Sequence, residues 1–136
     1  MKKYEKLHTD CFMKKNPGKW GGWTIATENG EIVKRHDFKG EALTNNQLEL
    51  LGIIDGLIHI KQGGEIITDA QFCERTINGQ YKVGKKNILG GLFEIAKSIK
   101  LERDAKIIWK QREKNLAGIY NDKVKETKNI NQNIPF

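Results

Sequence analysis

The dipeptide Asn29-Gly30 limits the folds open to this chain more than any other pair of residues. It separates two runs of β-prone residues, Trp23 to Glu28 and Glu31 to Phe38. Asn-Gly is the strongest short hairpin signal, because both central positions of a two-residue type I′ turn need positive φ. A further strand-like run, Lys6 to Phe12, precedes this pair, so an antiparallel meander opens the fold. Thr44 then stands before a helical run with Gln47 three positions on, the T-x-x-Q pattern of a capping box. Leu48, Leu51, Ile54, Leu57 and Ile58 mark the apolar face of a helix predicted from about Asn45 to Ile60.

Gly63-Gly64 breaks that helix, and Glu65-Ile66-Ile67-Thr68 reads as a short β-branched strand ending at Asp69, with a second helix beginning near Ala70. Past a basic, glycine-bearing loop around Tyr81 to Asn87, Ile88, Leu92, Ala96 and Ile99 have helical spacing. Ala105 to Trp109 forms a last strand, and a final helix falls within Leu116 to Lys128. This order predicts an α/β fold: a mixed five-stranded sheet, an antiparallel meander plus two further strands, flanked by helices. Only crossover helices return a chain to lay strands in parallel. One domain is expected over residues 1–128, followed by a flexible tail, 129–136.

The 24 Lys+Arg against 17 Asp+Glu give a formal charge of +7, which favours a polyanionic partner such as nucleic acid, although a Lys-rich surface also simply confers solubility. No apolar run is long enough to span a membrane, and Met1-Lys2-Lys3-Tyr4-Glu5-Lys6 leads into no signal core, so a cytoplasmic, monomeric protein is expected. Cys11 and Cys73 have no paired spacing and read as reduced thiols.

Three acids occupy unusual places: Asp10 within a central strand, Asp69 at the end of another, and Glu49 on the connecting helix. Neighbouring strands lie ~4.8 Å apart, so such acids approach closely, and their like charges need cations for neutralisation. Paired Mg2+ ions meet that need. Taken singly, each acid also reads as a solvated element end.

The surrounding residues resemble ribonuclease H type 1. His8-Thr9-Asp10 through Asn16-Pro17-Gly18 and Gly21-Gly22-Trp23 is similar to that family's first strand and N-P-G turn. Leu43-Thr44-Asn45-Asn46-Gln47-Leu48-Glu49-Leu50 resembles its L-T-x-N-x-x-E-L helix start, and Ile66-Ile67-Thr68-Asp69-Ala70-Gln71-Phe72 its Y-T-D-S-Q-Y strand end. The family's last motif carries a histidine and, ten residues on, an aspartate. Arg112 stands at the histidine's place, within an R-x-x-N variant formed with Asn115, and Asp122 lies ten residues beyond it. Glu113 and Glu126 compete with Asp122 as the fourth acid.

The resemblance implies an endonuclease that cuts the RNA strand of RNA–DNA hybrids with two Mg2+ ions, or Mn2+, leaving 5′-phosphate and 3′-hydroxyl ends. By position, Asp10 would bridge both metals, Glu49 and Asp69 would hold the leaving-group metal, and Asp122 the other. Arg112 would act electrostatically, since it stays protonated. Asn45 and Asn46 lie four and three residues before Glu49 and share its helix face. With Asn16 and Gln71 they would read the minor groove and ribose 2′-hydroxyls, while Thr44 would contact a DNA phosphate or cap the helix.

Cys11 and Phe12 replace the Gly-Ser pair common after the first aspartate. The spacing from Asp69 to Asp122 leaves little room for the basic protrusion of some members, for which the loop at Lys82, Lys85 and Lys86 would be a weak substitute. His8, His36 and His59 show no catalytic spacing, and Trp20, Trp23 and Trp109 read as core or sheet residues, with stacking on nucleotides as the alternative. Ile134-Pro135-Phe136 resembles the I-P-F end by which bacterial single-stranded-DNA-binding proteins recruit partners, while the Asn-rich composition reads as an unstructured end. Two other functions fit these features: a catalytically silent hybrid-binding module, and another nuclease of this broad fold acting on DNA.

Overall fold

The computed structural model describes residues 2–84 and 88–132. Strands β1 (Tyr4–Met13), β2 (Gly18–Thr27) and β3 (Ile32–Leu43) form the meander. Helix α1 (Asn45–Ile58) leads to β4 (Ile60–Thr68), and helices α2 (Gln71–Ile77) and α3 (Ile88–Arg103) lead to β5 (Lys106–Trp109). A 3-10 turn, Arg112–Lys114, precedes α4 (Leu116–Gln132). The strand order is β3-β2-β1-β4-β5, antiparallel across the meander and parallel from β1 to β4 and from β4 to β5. This is the mixed five-stranded sheet expected from the order of elements.

The hairpin forms, but not through a two-residue type I′ turn: of Asn29 and Gly30 only Gly30 takes positive φ, 85°. The Thr27 N–H donates to the Glu31 carbonyl at 2.8 Å across a three-residue loop, 28–30, from which β2 and β3 pair as far as Gly18 and Leu43 with two register shifts. Both strands extend beyond the predicted runs: β2 starts at Gly18 and β3 continues to Leu43. Residues 18–22 carry three glycines, which have low strand propensity, yet the neighbouring strands supply the pairing.

Thr44 closes the predicted capping box: its hydroxyl accepts from the Gln47 backbone N–H, and the Gln47 amide oxygen accepts from the Thr44 N–H. Two corrections concern the end of α1. The helix stops at Ile58, and Gly63-Gly64 lies inside β4 rather than before it. Ile60 is buried and pairs with Tyr4, while Glu65 pairs next with Lys6, so the intervening residues bulge out, and Gly63 supplies the required φ of 78°.

The core lies between the sheet and the helices α1 and α3, built on Leu7, Ile25, Leu48, Ile53, Ile66 and Phe93. Trp23 joins it, its indole N–H donating to Asp55 at 2.7 Å. Trp20 and Trp109 take the sheet half of the expected core-or-sheet role: they lie on β2 and β5 and stay outside the core, 58% and 39% exposed. Only α2 and α3 lie between β4 and β5 among the described residues, so no additional protrusion helix is present there. Lys82 is exposed, whereas Lys85, Lys86 and Ile134-Pro135-Phe136 lie outside the described residues. Helix α4 runs to Gln132, into the segment expected as tail. No helix among the described residues is long and apolar enough to cross a membrane.

Candidate active site

Three elements bring the first acids together. Asp10 sits on β1, the sheet's central strand, and is 1% exposed. Asp69 follows the last residue of β4, the parallel neighbour of β1. Glu49 projects from the first turns of α1, which packs on β1. One ligand oxygen from each lies within 4.8 Å of the others. Glu49 accepts from the Cys11 backbone N–H through Oε1 at 3.2 Å, while its buried Oε2 has no partner. Burial, and after it the charge of Asp10, hold the Glu49 carboxyl well above its ordinary range; the same two causes push Asp69 up to about 6, against the opposing pull of Arg112.

Asp122 lies outside that group, on α4 with its side chain 54% exposed. Arg112 connects the two parts. Its Nη1 donates to Asp10 Oδ1 at 2.7 Å and to Asp69 Oδ2 at 3.1 Å, and its Nη2 to Asp122 Oδ1 at 2.9 Å. A guanidinium thus supplies the counter-charge among the acids. Burial works against that charge, but the hydrogen bond to Asp122 and the charge of Asp10 outweigh it and raise the Arg112 pKa. Glu113 and Glu126 line a groove with Arg112 and Asp122. Among the described residues, neither of the two forms an ion pair with Arg112.

Three residues that sequence reasoning did not assign hold this arrangement. Asn121 is buried; its Nδ2 donates to Asp10 Oδ2 at 2.9 Å, and its Oδ1 accepts from the Thr24 hydroxyl at 2.6 Å. Asn115, noted only as part of a motif, caps α4: its Oδ1 accepts from the backbone N–H groups of Ala117 and Gly118, and its Nδ2 donates to the Thr9 carbonyl at 2.9 Å. Gly118 lets that first turn approach, since a Cβ there would meet the Arg112 guanidinium at 3.3 Å and Asp69 Oδ2 at 3.4 Å. An asparagine beside the predicted aspartate was the available signal for Asn121; its partners lie on β1 and β2, about a hundred residues away in sequence.

The amide residues border the acids. Asn16 lies in the turn after β1, where its Oδ1 accepts from the Asn45 backbone N–H at 3.2 Å, so the turn and the start of α1 are tied together. Asn45, Asn46 and Gln71 are exposed at the first turns of α1 and α2. The Thr44 hydroxyl serves the helix cap. Cys11 is half-buried beside the acids, and its thiol contacts the Asn45 carbonyl at 3.7 Å; burial, with the charge of Glu49, pushes the thiol pKa upward. Phe12 carries the Arg35 guanidinium over its ring at 3.8 Å.

The chain is similar in sequence and in fold to known ribonucleases H. The chain is 35% identical over 120 residues to the ribonuclease H of Legionella pneumophila strain Corby, a match covering 85% of this chain and 76% of that protein. It is 33% identical over 98 residues to the ribonuclease H of Campylobacter curvus, covering 70% of this chain and 65% of that protein. No family model matches the chain. Among solved structures, LC11-RNase H1 in complex with an RNA/DNA hybrid aligns with a TM-score of 0.63 at 26% identity, covering 81% of this chain and 87% of that one. RNase H1 from the archaeon Halobacterium salinarum shares the fold, with a TM-score of 0.65 at 23% identity over 82% of this chain and 89% of that one. A β1 aspartate, an α1 glutamate and a β4-end aspartate gathered on this sheet order, together with the extent of the Legionella match, show that the chain belongs to the ribonuclease H family.

Proposed function

We propose that this protein is an endonuclease that hydrolyses the RNA strand of RNA–DNA hybrids, leaving 5′-phosphate and 3′-hydroxyl ends. The observation that carries this reading is the cluster of Asp10, Glu49 and Asp69 beside exposed amides at the starts of α1 and α2. The donor set fits divalent cations. All its ligands are hard carboxylate oxygens, and the unpartnered Glu49 Oε2 is an orphan acceptor that a cation would satisfy. Asp10, Glu49, Asp69 and Asp122 would hold two such ions, Mg2+ or Mn2+. When bound, these supply Lewis-acid stabilisation of the attacking and departing oxygens of an in-line displacement.

The chain's own groups do the rest. Asn45, Asn46, Asn16 and Gln71 offer amides to minor-groove edges and ribose 2′-hydroxyls, the groups that separate RNA from DNA. Arg112 donates hydrogen bonds to a phosphate and, being permanently protonated, takes no proton. The protein works as a cytoplasmic monomer in this reading, with Cys11 and Cys73 as free thiols.

Incubation of labelled RNA–DNA hybrid and its DNA–DNA counterpart with Mg2+ or Mn2+ tests the proposal: only the RNA strand of the hybrid should be cut, and excess chelator should stop cleavage. Chelator-resistant cutting, or cutting of both duplexes, defeats it. The bridging of three acids by Arg112 favours a second reading, a silent hybrid-binding module. Tight hybrid binding with no cleavage in saturating Mn2+ would decide for that module.

A further inference from the structure

The two tryptophans of β2 have opposite fates. Trp23 is buried and hydrogen-bonded, whereas Trp20, three residues earlier, is the most exposed tryptophan in the protein at 58%. Trp20 lies where β2 has passed the end of β1: the last β1–β2 pair is Met13 with Gly21, and Trp20 pairs only with Lys39 of β3. The turn after β1 folds beside it, making a groove of about 620 Å³ lined by Lys14, Lys15, Pro17, Lys19 and Trp20.

This groove has a defined shape. Gly18 lets the chain turn tightly, since a Cβ there would fall 2.4 Å from the Lys15 carbonyl oxygen, and Asn16 ties the turn to α1. Lys39 places its ammonium 5.1 Å from the Trp20 ring centroid. Among the described residues, Lys14, Lys15, Lys19 and Lys39 form no ion pair with a carboxylate. Three lysines without a carboxylate partner thus line the groove with an exposed indole, and a fourth, Lys39, lies over its ring.

We infer that this groove binds an unpaired nucleotide of single-stranded nucleic acid, its base stacked on Trp20 and its phosphates on Lys14, Lys15 and Lys19. An indole among lysines matches the two faces of a nucleotide, an apolar ring and an anion, and this is how single strands are held without sequence preference. A base inside a duplex presents only its edges, so the ring selects an unpaired one. The Asn16–Asn45 hydrogen bond joins the groove to the amides at the start of α1. On the hybrid reading proposed above, the groove therefore receives a single-stranded extension of the bound hybrid.

The test uses the full chain in chelator, so that no strand is cut, and follows a labelled oligothymidylate and a labelled blunt hybrid by fluorescence anisotropy. Trp20→Ala should weaken oligothymidylate binding by about 5- to 150-fold, with Trp20→Phe in between, and leave blunt-hybrid binding unchanged. Each of Lys14→Gln and Lys15→Gln should lower the salt dependence of single-strand binding by about 0.7. Unchanged oligothymidylate binding in Trp20→Ala overturns the inference. So does an equal loss on both ligands, which would make the groove part of the duplex track, and so does equal displacement of the oligothymidylate by polyglutamate, which would reduce the patch to bulk charge. Selective loss of single-strand binding, with no hybrid cleavage by any variant in Mg2+ or Mn2+, would sustain the nucleotide groove and overturn the hybrid reading instead.

Discussion

Asp10 and Asp122 accept hydrogen bonds from the same guanidinium, yet they belong to regions built on different terms. Asp10 is held in the central strand, 1% exposed, with Asn121 on its second oxygen. Asp122 stands on α4 with its side chain 54% exposed and Arg112 as its ion-pair partner. Sheet hydrogen bonds and the α1 core hold one side of the site. A helix cap, a glycine approach and a salt-bridge fork hold the other. The sheet side keeps like charges together, largely buried, in spite of their repulsion, while on the α4 side the acid is half in solvent. On the proposed reading, the contrast predicts larger losses from changes on the sheet side than from changes on the α4 side.

The largest effect should come from the sheet side. Asp10→Asn should lower hybrid cleavage by at least about 1,000-fold, ~4 kcal/mol at the barrier, while hybrid binding survives, because a repulsive charge near the phosphates is removed. Near-normal turnover in that variant would reverse the ranking of the two sides.

Arg112→Ala and Asp122→Asn should each slow turnover by roughly 10- to 100-fold, about 1.4–2.7 kcal/mol. Since the two side chains are paired and removing either leaves the other without that partner, the two losses should combine to less than their product in the double variant. Fully multiplicative losses would show that Asp122 acts independently of Arg112.

Asn121→Ala sharpens the comparison through stability, because it leaves the buried Thr24 hydroxyl without its partner and removes a donor from Asp10. Urea denaturation should show a loss of about 1–2 kcal/mol. An unchanged midpoint would mean that α4 contributes nothing to holding Asp10.

The smallest effect concerns acidity. His8 is 1% exposed, its Nδ1 accepting from the Leu116 N–H at the start of α4 and its Nε2 facing Glu28 at 3.1 Å. Burial lowers its pKa, with Glu28 opposing, so the folded state binds fewer protons than an unfolded chain, whose histidines titrate near ~6.5. That contribution to stability is present above this pH and lost below it. Asp69 works in the other sense: pushed up to about 6, it keeps a proton that the unfolded chain releases lower, which favours the folded state on acidification. In chelator, denaturation at pH 7.5 and 5.0 should show a smaller acid loss for His8→Gln than for the parent. Equal losses would remove His8 from the account of α4 docking.

The residues legible in advance were those whose signals are local. Asn29-Gly30 announced a hairpin, Thr44 to Gln47 announced a cap, and Asp10, Glu49 and Asp69 lay within motifs whose elements meet by topology. Gly63-Gly64 misled because a glycine pair ends a helix and permits a strand bulge equally well, and only the pairing of Ile60 with Tyr4 distinguishes the two. Trp20 and Trp23 share a strand and a residue type, so their different burial depends on where β1 ends, which is a property of the sheet.

By itself the sequence determined the element order, the caps and turns, and the residue types available for chemistry, because these depend on interactions over a few residues. The tertiary structure alone decided that Arg112 would bridge three acids, that Asn121 would fasten Asp10 from 111 residues away, and that Trp20 would face solvent among lysines. Those outcomes depend on which distant groups the assembled sheet and helices bring within hydrogen-bonding range, and no local pattern of residues encodes that distance.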